Sequence, residues 1–206
     1  MSEQVNVPVS RFGCVHPGAR WRVPRWRPVG TRHRRPVGAF VLAAIMLGAC
    51  SRIAPPEPAA GEVTLRLADE RDLAAVLARQ RGKVVLVDFW ASWCIPCMEL
   101  LPHTIRLRQQ CAERGLAVVT VSFDSPEDMA MVRQALQSKQ ALSENLLSRY
   151  GASPQSVEAF QAGDGALPFL KLYDRQGRLA KTFGLGGDDP PEPQAIDRAV
   201  EALLAR

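Results

Sequence analysis

The chain of 206 residues has room for one domain with a sizeable core and an additional leader or tail. Its formal net charge of +5 is unevenly distributed, because residues 1–60 carry nine Arg and two Glu whereas residues 61–206 carry 17 Lys and Arg and 19 Asp and Glu. The larger part therefore has no basic bias, which argues against a nucleic-acid partner. The five cysteines are also unlike the even, spread pattern of a small disulfide-stapled domain.

Residues 1–49 are predicted to form a signal peptide. Its core, residues 37–49, is apolar and uncharged, and it is shorter than the roughly 20 residues that span a bilayer. The basic residues 32–35 lie directly before this core, where the positive region of a signal peptide belongs. The region before the core is long for such a leader, at about 36 residues.

The apolar core ends in Leu47-Gly48-Ala49-Cys50, which resembles the bacterial lipobox. In that motif a Leu and two small residues precede a cysteine that is acylated and becomes the new N-terminus. The resemblance implies that Cys50 is lipidated, and several acyl chains on one cysteine give stable anchoring. An ordinary secretory signal, or an uncleaved anchor with an incidental cysteine, are the alternatives.

Residues 50–62 are predicted to be a tether, because the segment is rich in Pro and Ala and cannot pack a core. The folded domain is expected at residues 63–206. Its hydrophobic patterns predict strands at residues 63–67, 83–90, 116–122, 145–150, 169–173 and 178–183, and helices at residues 70–80, 94–113, 125–138, 154–160 and 191–204.

The order of these elements predicts the fold class. Residues 83–90 form a continuous apolar run with one Asp, a pattern typical of a central strand that is buried on both faces. The last two strands are joined by a turn at residues 174–177 and form a hairpin. Strands that alternate with helices and close with a hairpin predict an α/β domain with a mixed sheet.

Cys94 and Cys97 form a C-x-x-C motif between the predicted central strand and a helix. The N–H groups at the helix start point towards Cys94, and the helix dipole favours its thiolate, which is the form that attacks a disulfide. Cys97 follows one turn later on the same face, so the two sulfurs can form a disulfide. Pro96 lies in the first turn, where its missing N–H costs little. We predict that Cys94 attacks a disulfide and that Cys97 resolves the mixed disulfide.

A zinc site and a static disulfide are the alternatives for this motif. Zinc requires four ligands, and His103 and Cys111 lie on the same predicted helix as the motif, so they cannot complete a tetrahedron around it. A static disulfide does not account for the position between strand and helix. We therefore expect redox chemistry with no metal and no cofactor.

Asp88 lies within the apolar strand, where burial is expected to raise the pKa of its carboxyl. A carboxyl of that kind suits a proton acceptor for Cys97. An ion pair with a Lys or Arg is the structural alternative, and the residues alone leave both open.

Residues 87–97, Val-Asp-Phe-Trp-Ala-Ser-Trp-Cys-Ile-Pro-Cys, resemble the active-site segment of the thioredoxin superfamily. Pro102 matches the proline within the helix of that segment. The resemblance covers residues 63–206 and implies a thioredoxin-like fold with three α/β/α layers around a mixed central sheet. It also favours the proton-relay role for Asp88.

The same resemblance implies a partner-binding region. Pro168, in Ala-Leu-Pro-Phe, matches the family's cis-proline opposite the dithiol. In the family, the backbone before this proline, here at Leu167, pairs with a strand of the bound partner, and the ring keeps metals away from the cysteines. Trp93 is expected to contact the partner, and Trp90 to shield the site.

Cys97 and Pro168 are 71 positions apart, which is more than in plain thioredoxin. The additional βα-like segment within about residues 125–165 is similar to that of the TlpA-like membrane-tethered reductases. These act outside the cytoplasm, some of them in cytochrome c maturation. The cytochrome c maturation reductases carry a Glu three residues after the second cysteine, where this chain has Leu100, and the neighbouring Glu99 is expected to face elsewhere. Apocytochrome specificity is therefore not implied.

Several residues are interpreted as structural. Cys111 is expected to be a small buried hydrophobic residue, His103 a surface residue, and residues 188–189 part of a polar loop that binds no metal.

The sequence predicts a thiol–disulfide oxidoreductase that reduces disulfide-containing extracytoplasmic proteins. It is expected on the periplasmic side of a bacterial envelope, bound to the membrane by a lipid anchor and supplied with electrons by a transmembrane thiol carrier. A binding or chaperone-like thioredoxin-fold protein without turnover is the alternative. A thiol peroxidase would need a reactive cysteine in a Pro- and Thr-rich loop, which the sequence lacks.

Overall fold

The computed structural model describes residues 63–206. The predicted signal peptide, the lipidation site and the tether lie outside the described residues. The strands are β1 (Arg66–Ala68), β2 (Val84–Trp90), β3 (Leu116–Ser122), β4 (Glu144–Ser148), β5 (Phe169–Tyr173) and β6 (Leu179–Phe183), and the helices are α1 (Glu70–Arg79), α2 (Ile95–Cys111), α3 (Met129–Ser138), α4 (Pro154–Phe160) and α5 (Pro193–Leu204). None of these helices is both long enough and apolar enough to cross a membrane.

The six strands form one mixed sheet in the order β1-β4-β3-β2-β5-β6. The four strands β1 to β4 are parallel to one another, and β5 and β6 run antiparallel to their neighbours. The predicted mixed α/β sheet is therefore confirmed. Strand β4 lies between β1 and β3, so the segment from α3 to α4 contributes an inner strand of the sheet.

Strand β2 is buried along its whole length, as its apolar sequence predicts. Val85, Val87 and Phe89 pack on the face that α1 and α4 cover, whereas Leu86 packs with α2 and α5 on the opposite face. This alternation follows from the two-residue period of a strand. The sheet is therefore the middle of three layers, and the carboxyl end of β2 meets α2 at one edge of it.

The start of α3 differs from the prediction. The predicted helix starts at residue 125, but residues 126–128 form a 3₁₀ turn, the Ser125 side chain makes no capping hydrogen bond, and α3 begins at Met129. The physical reason is that the N–H of Asp128 already donates to the Ser125 carbonyl at 2.9 Å, which is the shorter spacing of a 3₁₀ turn.

Other strands and helices differ from their predicted ranges by a few residues at their ends. The first strand is shifted towards Ala68, β4 ends at Ser148, and α5 begins at Pro193. Strand β4 ends early because the backbone N–H of Tyr150 donates to the Ser148 hydroxyl, which turns the chain out of the sheet. Helix α2 ends at Cys111 in a 3₁₀ turn that Gly115 closes with a positive φ of 94°.

Candidate active site

Cys94 and Cys97 are joined in a disulfide at the start of α2. Cys94 is the N-cap of the helix, and its sulfur accepts a hydrogen bond from the backbone N–H of Cys97 at 3.3 Å. Both cysteines are buried, whereas Trp93 and Ile95 on either side of Cys94 are 61% and 73% exposed. A thiolate at Cys94 would therefore be stabilised by the N–H groups at the start of the helix. The exposed side chains of Trp93 and Ile95 form an apolar surface around it.

Pro96 lies in the first turn of α2, as predicted, and Pro102 lies within the helix. The N–H of Met98 donates to the Cys94 carbonyl at 3.0 Å, which is the first regular bond of the helix. Pro96 therefore occupies a position where no N–H donor is needed.

Asp88 is buried on β2, and its carboxylate accepts a hydrogen bond from the Thr104 hydroxyl at 2.8 Å. Burial raises the pKa of this carboxyl to about 6, and the bond from Thr104 opposes the increase. No Lys or Arg of the described chain pairs with Asp88, so the ion-pair alternative is not the arrangement found. Thr104 was not identified from the sequence, although it follows Cys97 by seven residues on the same face of α2.

Leu167 and Pro168 are joined by a cis peptide bond, as the resemblance implies. They directly precede β5, in which Phe169 pairs with Phe89 of β2. Pro168 therefore lies beside the end of β2 from which the C-x-x-C segment continues. Pro168 is buried and Leu167 is half-buried.

A second carboxylate, which the sequence reasoning missed, holds the loop before Cys94. Asp124 is fully buried after β3 and accepts hydrogen bonds from the backbone N–H of Ser92 at 3.0 Å and from the hydroxyls of Ser92 and Ser122, each at 2.5 Å. The N–H of Phe123 also donates to the Trp90 carbonyl at 2.8 Å. These bonds join the loop of residues 91–93 to the end of β3. The only sequence signal for the role of Asp124 in holding this loop is its position in a polar segment just after an apolar strand.

A groove of about 520 Å³ opens beside the disulfide. Its lining includes Trp93, which precedes Cys94, Leu167, which precedes the cis-proline, and residues of helix α4. The residues that line it are Trp93, Phe123, Ala152, Ser153, Pro154, Val157, Glu158, Gln161, Gly163, Asp164, Gly165 and Leu167. A polypeptide that reaches Cys94 past Leu167 would also contact this groove.

Four other residues that the sequence analysis singled out on β2 and α2 are buried or half-buried. Trp90 and Cys111 are fully buried, whereas His103 is half-buried and its Nε2 lies 2.8 Å from a carboxylate oxygen of Asp197. Leu100 is buried at the position where the cytochrome c maturation reductases carry Glu. Among residues 63–206, no group of three or more His, Cys, Asp and Glu side chains is arranged to hold a metal ion.

Helix α2, the buried Asp88 and the cis-proline together have the arrangement expected of a redox dithiol. The AhpC/TSA family model matches residues 59–200. The chain belongs to the AhpC/TSA family. The thiol:disulfide interchange protein HelX of Rhodobacter capsulatus is 29% identical over 149 residues, which cover 72% of this chain and 72% of HelX.

Two further proteins are similar over different lengths. The thiol-disulfide oxidoreductase ResA of Oceanobacillus iheyensis is 36% identical over 63 residues, which cover 30% of this chain but only 33% of ResA. The crystal structure of a thiol:disulfide interchange protein DsbE from Chlorobium tepidum has a TM-score of 0.51 and 26% identity, and the match covers 62% of this chain and 84% of that one. The predicted thioredoxin-type fold and oxidoreductase class are confirmed.

Asp88 gives a pH-dependent prediction. Below about pH 4 its carboxyl is protonated in the folded and the unfolded chain, whereas above about pH 6 the folded chain must hold it ionised and buried. Its contribution to the free energy of unfolding therefore falls between these pH values, by about 2–3 kcal/mol in total. In the variant Asp88→Asn this fall should be absent. Urea unfolding of both chains at pH 4, 6 and 8 measures it, and parallel profiles would contradict the buried, titrating carboxyl.

Asp124 gives a second prediction. The change Asp124→Asn replaces a carboxylate oxygen by an N–H group that faces the donors of Ser92 and Ser122, so it should lower the free energy of unfolding by about 2–3 kcal/mol. The matched control is Glu127→Gln, which neutralises an exposed acid three residues later and should stay within about 0.5 kcal/mol of the native chain. Denaturant unfolding at pH 7 measures both, and equal effects would show that Asp124 does not hold the loop.

Proposed function

We propose that this chain is a membrane-tethered thiol–disulfide oxidoreductase that reduces disulfides of extracytoplasmic proteins. The observation that carries the proposal is the Cys94–Cys97 disulfide at the start of α2, where the Cys94 sulfur accepts a hydrogen bond from a helix N–H. Leu167, the residue before the cis-proline, packs against the cluster that contains both cysteines. The family and the names of the similar proteins support the same chemistry.

In the proposed reaction, the reduced chain supplies both electrons. The Cys94 thiolate attacks one sulfur of the substrate disulfide, and the other substrate sulfur leaves as a thiol after it takes up a proton. The Cys97 sulfur then attacks Cys94, which releases the second substrate thiol and forms the Cys94–Cys97 disulfide. Two electrons thus pass from the chain to the substrate, and of the two protons that the substrate thiols take up, one is the proton released by Cys97 and the other comes from water.

Asp88 is proposed to accept the proton of Cys97 in the second step. Cys97, Leu101 and Thr104 follow one another at helical spacing on the face of α2 that packs towards β2, and Thr104 binds the Asp88 carboxylate. A carboxyl with a pKa of about 6 can take a proton and return it near neutral pH.

The substrate is proposed to bind along Leu167 and against Trp93. Leu167 has a half-buried side chain before β5, and Trp93 offers an exposed indole one residue before Cys94. Pro168 and the first turn at Pro96 are proposed to complete the surroundings of Cys94, the residue that attacks the substrate disulfide. We further propose that β4 and α4 are the insertion that distinguishes TlpA-like proteins from plain thioredoxin.

The proposed location is the periplasmic side of a bacterial envelope, with residues 1–49 as the signal peptide, Cys50 as the lipid anchor and residues 50–62 as the tether. The sequence of residues 37–50 carries this part of the proposal. A reductase outside the cytoplasm consumes one dithiol for each substrate disulfide, so a transmembrane thiol carrier would have to reduce Cys94 and Cys97 again.

A redox titration of the full chain tests the direction of the reaction. The chain is equilibrated in defined dithiol buffers, its thiols are alkylated, and the Cys94–Cys97 pair is quantified by mass spectrometry. We expect a midpoint near the thioredoxin value of about −270 mV. The variant Cys94→Ser is the control for the background from the other cysteines.

A midpoint near the DsbA value of about −120 mV would make the chain an oxidant and would contradict the proposed direction. A pair that shows no reversible transition would instead support the alternative of a binding protein with a structural disulfide.

The anchor is tested separately by expression of the full chain in a Gram-negative bacterium. We expect the mature chain to begin at Cys50 and to carry the mass of covalently bound acyl chains, because the lipobox directs cleavage before that cysteine. The variant Cys50→Ser should lose the lipid, whereas the control Cys14→Ser should be processed like the native chain. A mature chain that starts elsewhere without lipid would contradict the anchor.

A further inference from the structure

The groove beside the disulfide carries charge of only one sign. Glu158 and Asp164 are its ionisable residues, and its lining includes no Lys, Arg or His. Within residues 63–206 neither carboxylate forms an ion pair, although one Asp164 oxygen accepts a hydrogen bond from the backbone N–H of Ala166 at 3.1 Å. The second Asp164 oxygen and the whole Glu158 carboxylate are therefore available to a ligand.

Asp164 lies in a loop between two glycines with positive φ. Gly163 and Gly165 have φ values of 60° and 91°. A Cβ atom at Gly163 would lie 2.7 Å from the ring of Phe169, and one at Gly165 would lie 2.9 Å from Val157. Glycine at both places therefore permits this path of the loop. The loop is held by hydrogen bonds from the N–H of Gly165 to the Ala162 carbonyl and from the N–H of Ala166 to the Asp164 carboxylate, each at 3.1 Å.

An aromatic side chain completes the lining. The indole of Trp93 is 61% exposed and borders the groove one residue before Cys94. An aromatic face and two carboxylates together favour a cationic side chain, because the ring attracts a cation and the carboxylates pair with it. The groove volume of about 520 Å³ leaves room for a long Lys or Arg side chain.

We propose that Glu158 and Asp164 select substrate polypeptides that carry a Lys or Arg close to the reacting cysteine. The inference rests on the proposed reductase function, since it places the substrate cysteine at Cys94 and its neighbouring side chain in the groove. The occupant is thus a segment of a disulfide-containing protein with local positive charge. The pairing accelerates the attack on that disulfide by raising the frequency of productive encounters.

The test uses the reduced full chain, freed from the dithiol that reduced it, and three peptides with an internal disulfide. The peptides differ at one position next to a cysteine, which is Lys, Gln or Glu. The reaction converts each peptide disulfide to two thiols and the chain's dithiol to the Cys94–Cys97 disulfide. Alkylation and mass spectrometry of the peptide thiols give the second-order rate constants, and the variant Cys94→Ser gives the background.

At low ionic strength we expect the Lys peptide to react about tenfold faster than the Glu peptide, with the Gln peptide between them. The double variant Glu158→Gln, Asp164→Asn should reduce this ratio to about twofold, and added salt should reduce it in the native chain. The matched control is the double variant Glu127→Gln, Asp128→Asn, which removes two exposed carboxylates that do not line the groove, and it should leave the ratio unchanged.

Equal rates for the three peptides would overturn the selectivity and leave the reductase function intact. A ratio that the control variant lowers as much as the Glu158→Gln, Asp164→Asn variant does would also overturn it, because the overall negative charge of the domain would then account for the preference. If no peptide reacts faster than with Cys94→Ser, the proposed reductase function fails and this inference fails with it.

Discussion

The complete burial of strand β2 is the constraint on which the site depends. Because both faces of β2 are covered, the chain can leave the sheet only at the ends of the strand. After Trp90 it therefore turns at the carboxyl end of β2 and enters α2 there. This turn places Cys94 at the helix N-terminus and close to the cis-proline before β5. The same burial surrounds Asp88 with apolar side chains, and its raised pKa follows directly.

The two buried carboxylates near the dithiol differ in how many hydrogen bonds they receive. Asp88 has one side-chain donor, the Thr104 hydroxyl, whereas Asp124 receives the backbone N–H of Ser92 and the hydroxyls of Ser92 and Ser122. A carboxylate with one donor gives up little when it is protonated, which suits proton transfer. The three donors of Asp124 come from two separate segments of the chain, which suits a fixed role in holding the loop.

Local patterns predicted most of the elements, because periodicity and turn residues act over a few positions. Helix α4 begins and ends where predicted, at Pro154 and Phe160. The pairing of β4 between β1 and β3 was not predicted, since an apolar run does not specify its neighbours in a sheet. Thr104 and Asp124 were missed for the same reason, because their partners Asp88 and Ser92 lie 16 and 32 positions away. The C-x-x-C motif, in contrast, carries its geometry within one helical turn.

The acidic residues proposed to select the substrate and the groups proposed to perform the exchange lie on different elements of this fold. The dithiol and Asp88 belong to β2 and α2, whereas Glu158 belongs to α4, which lies between β4 and β5 in the chain. The end of α4 is joined to the sheet by Lys171, whose buried ammonium donates to the Phe160 carbonyl at 2.9 Å and lies 5.9 Å from the centre of the Phe89 ring. Because Phe89 is on β2, this contact fixes α4 relative to the strand that leads to Cys94. Under the proposed function, a change at the exposed Glu158 of α4 would therefore alter the charge preference without disturbing the buried groups that are proposed to perform the exchange.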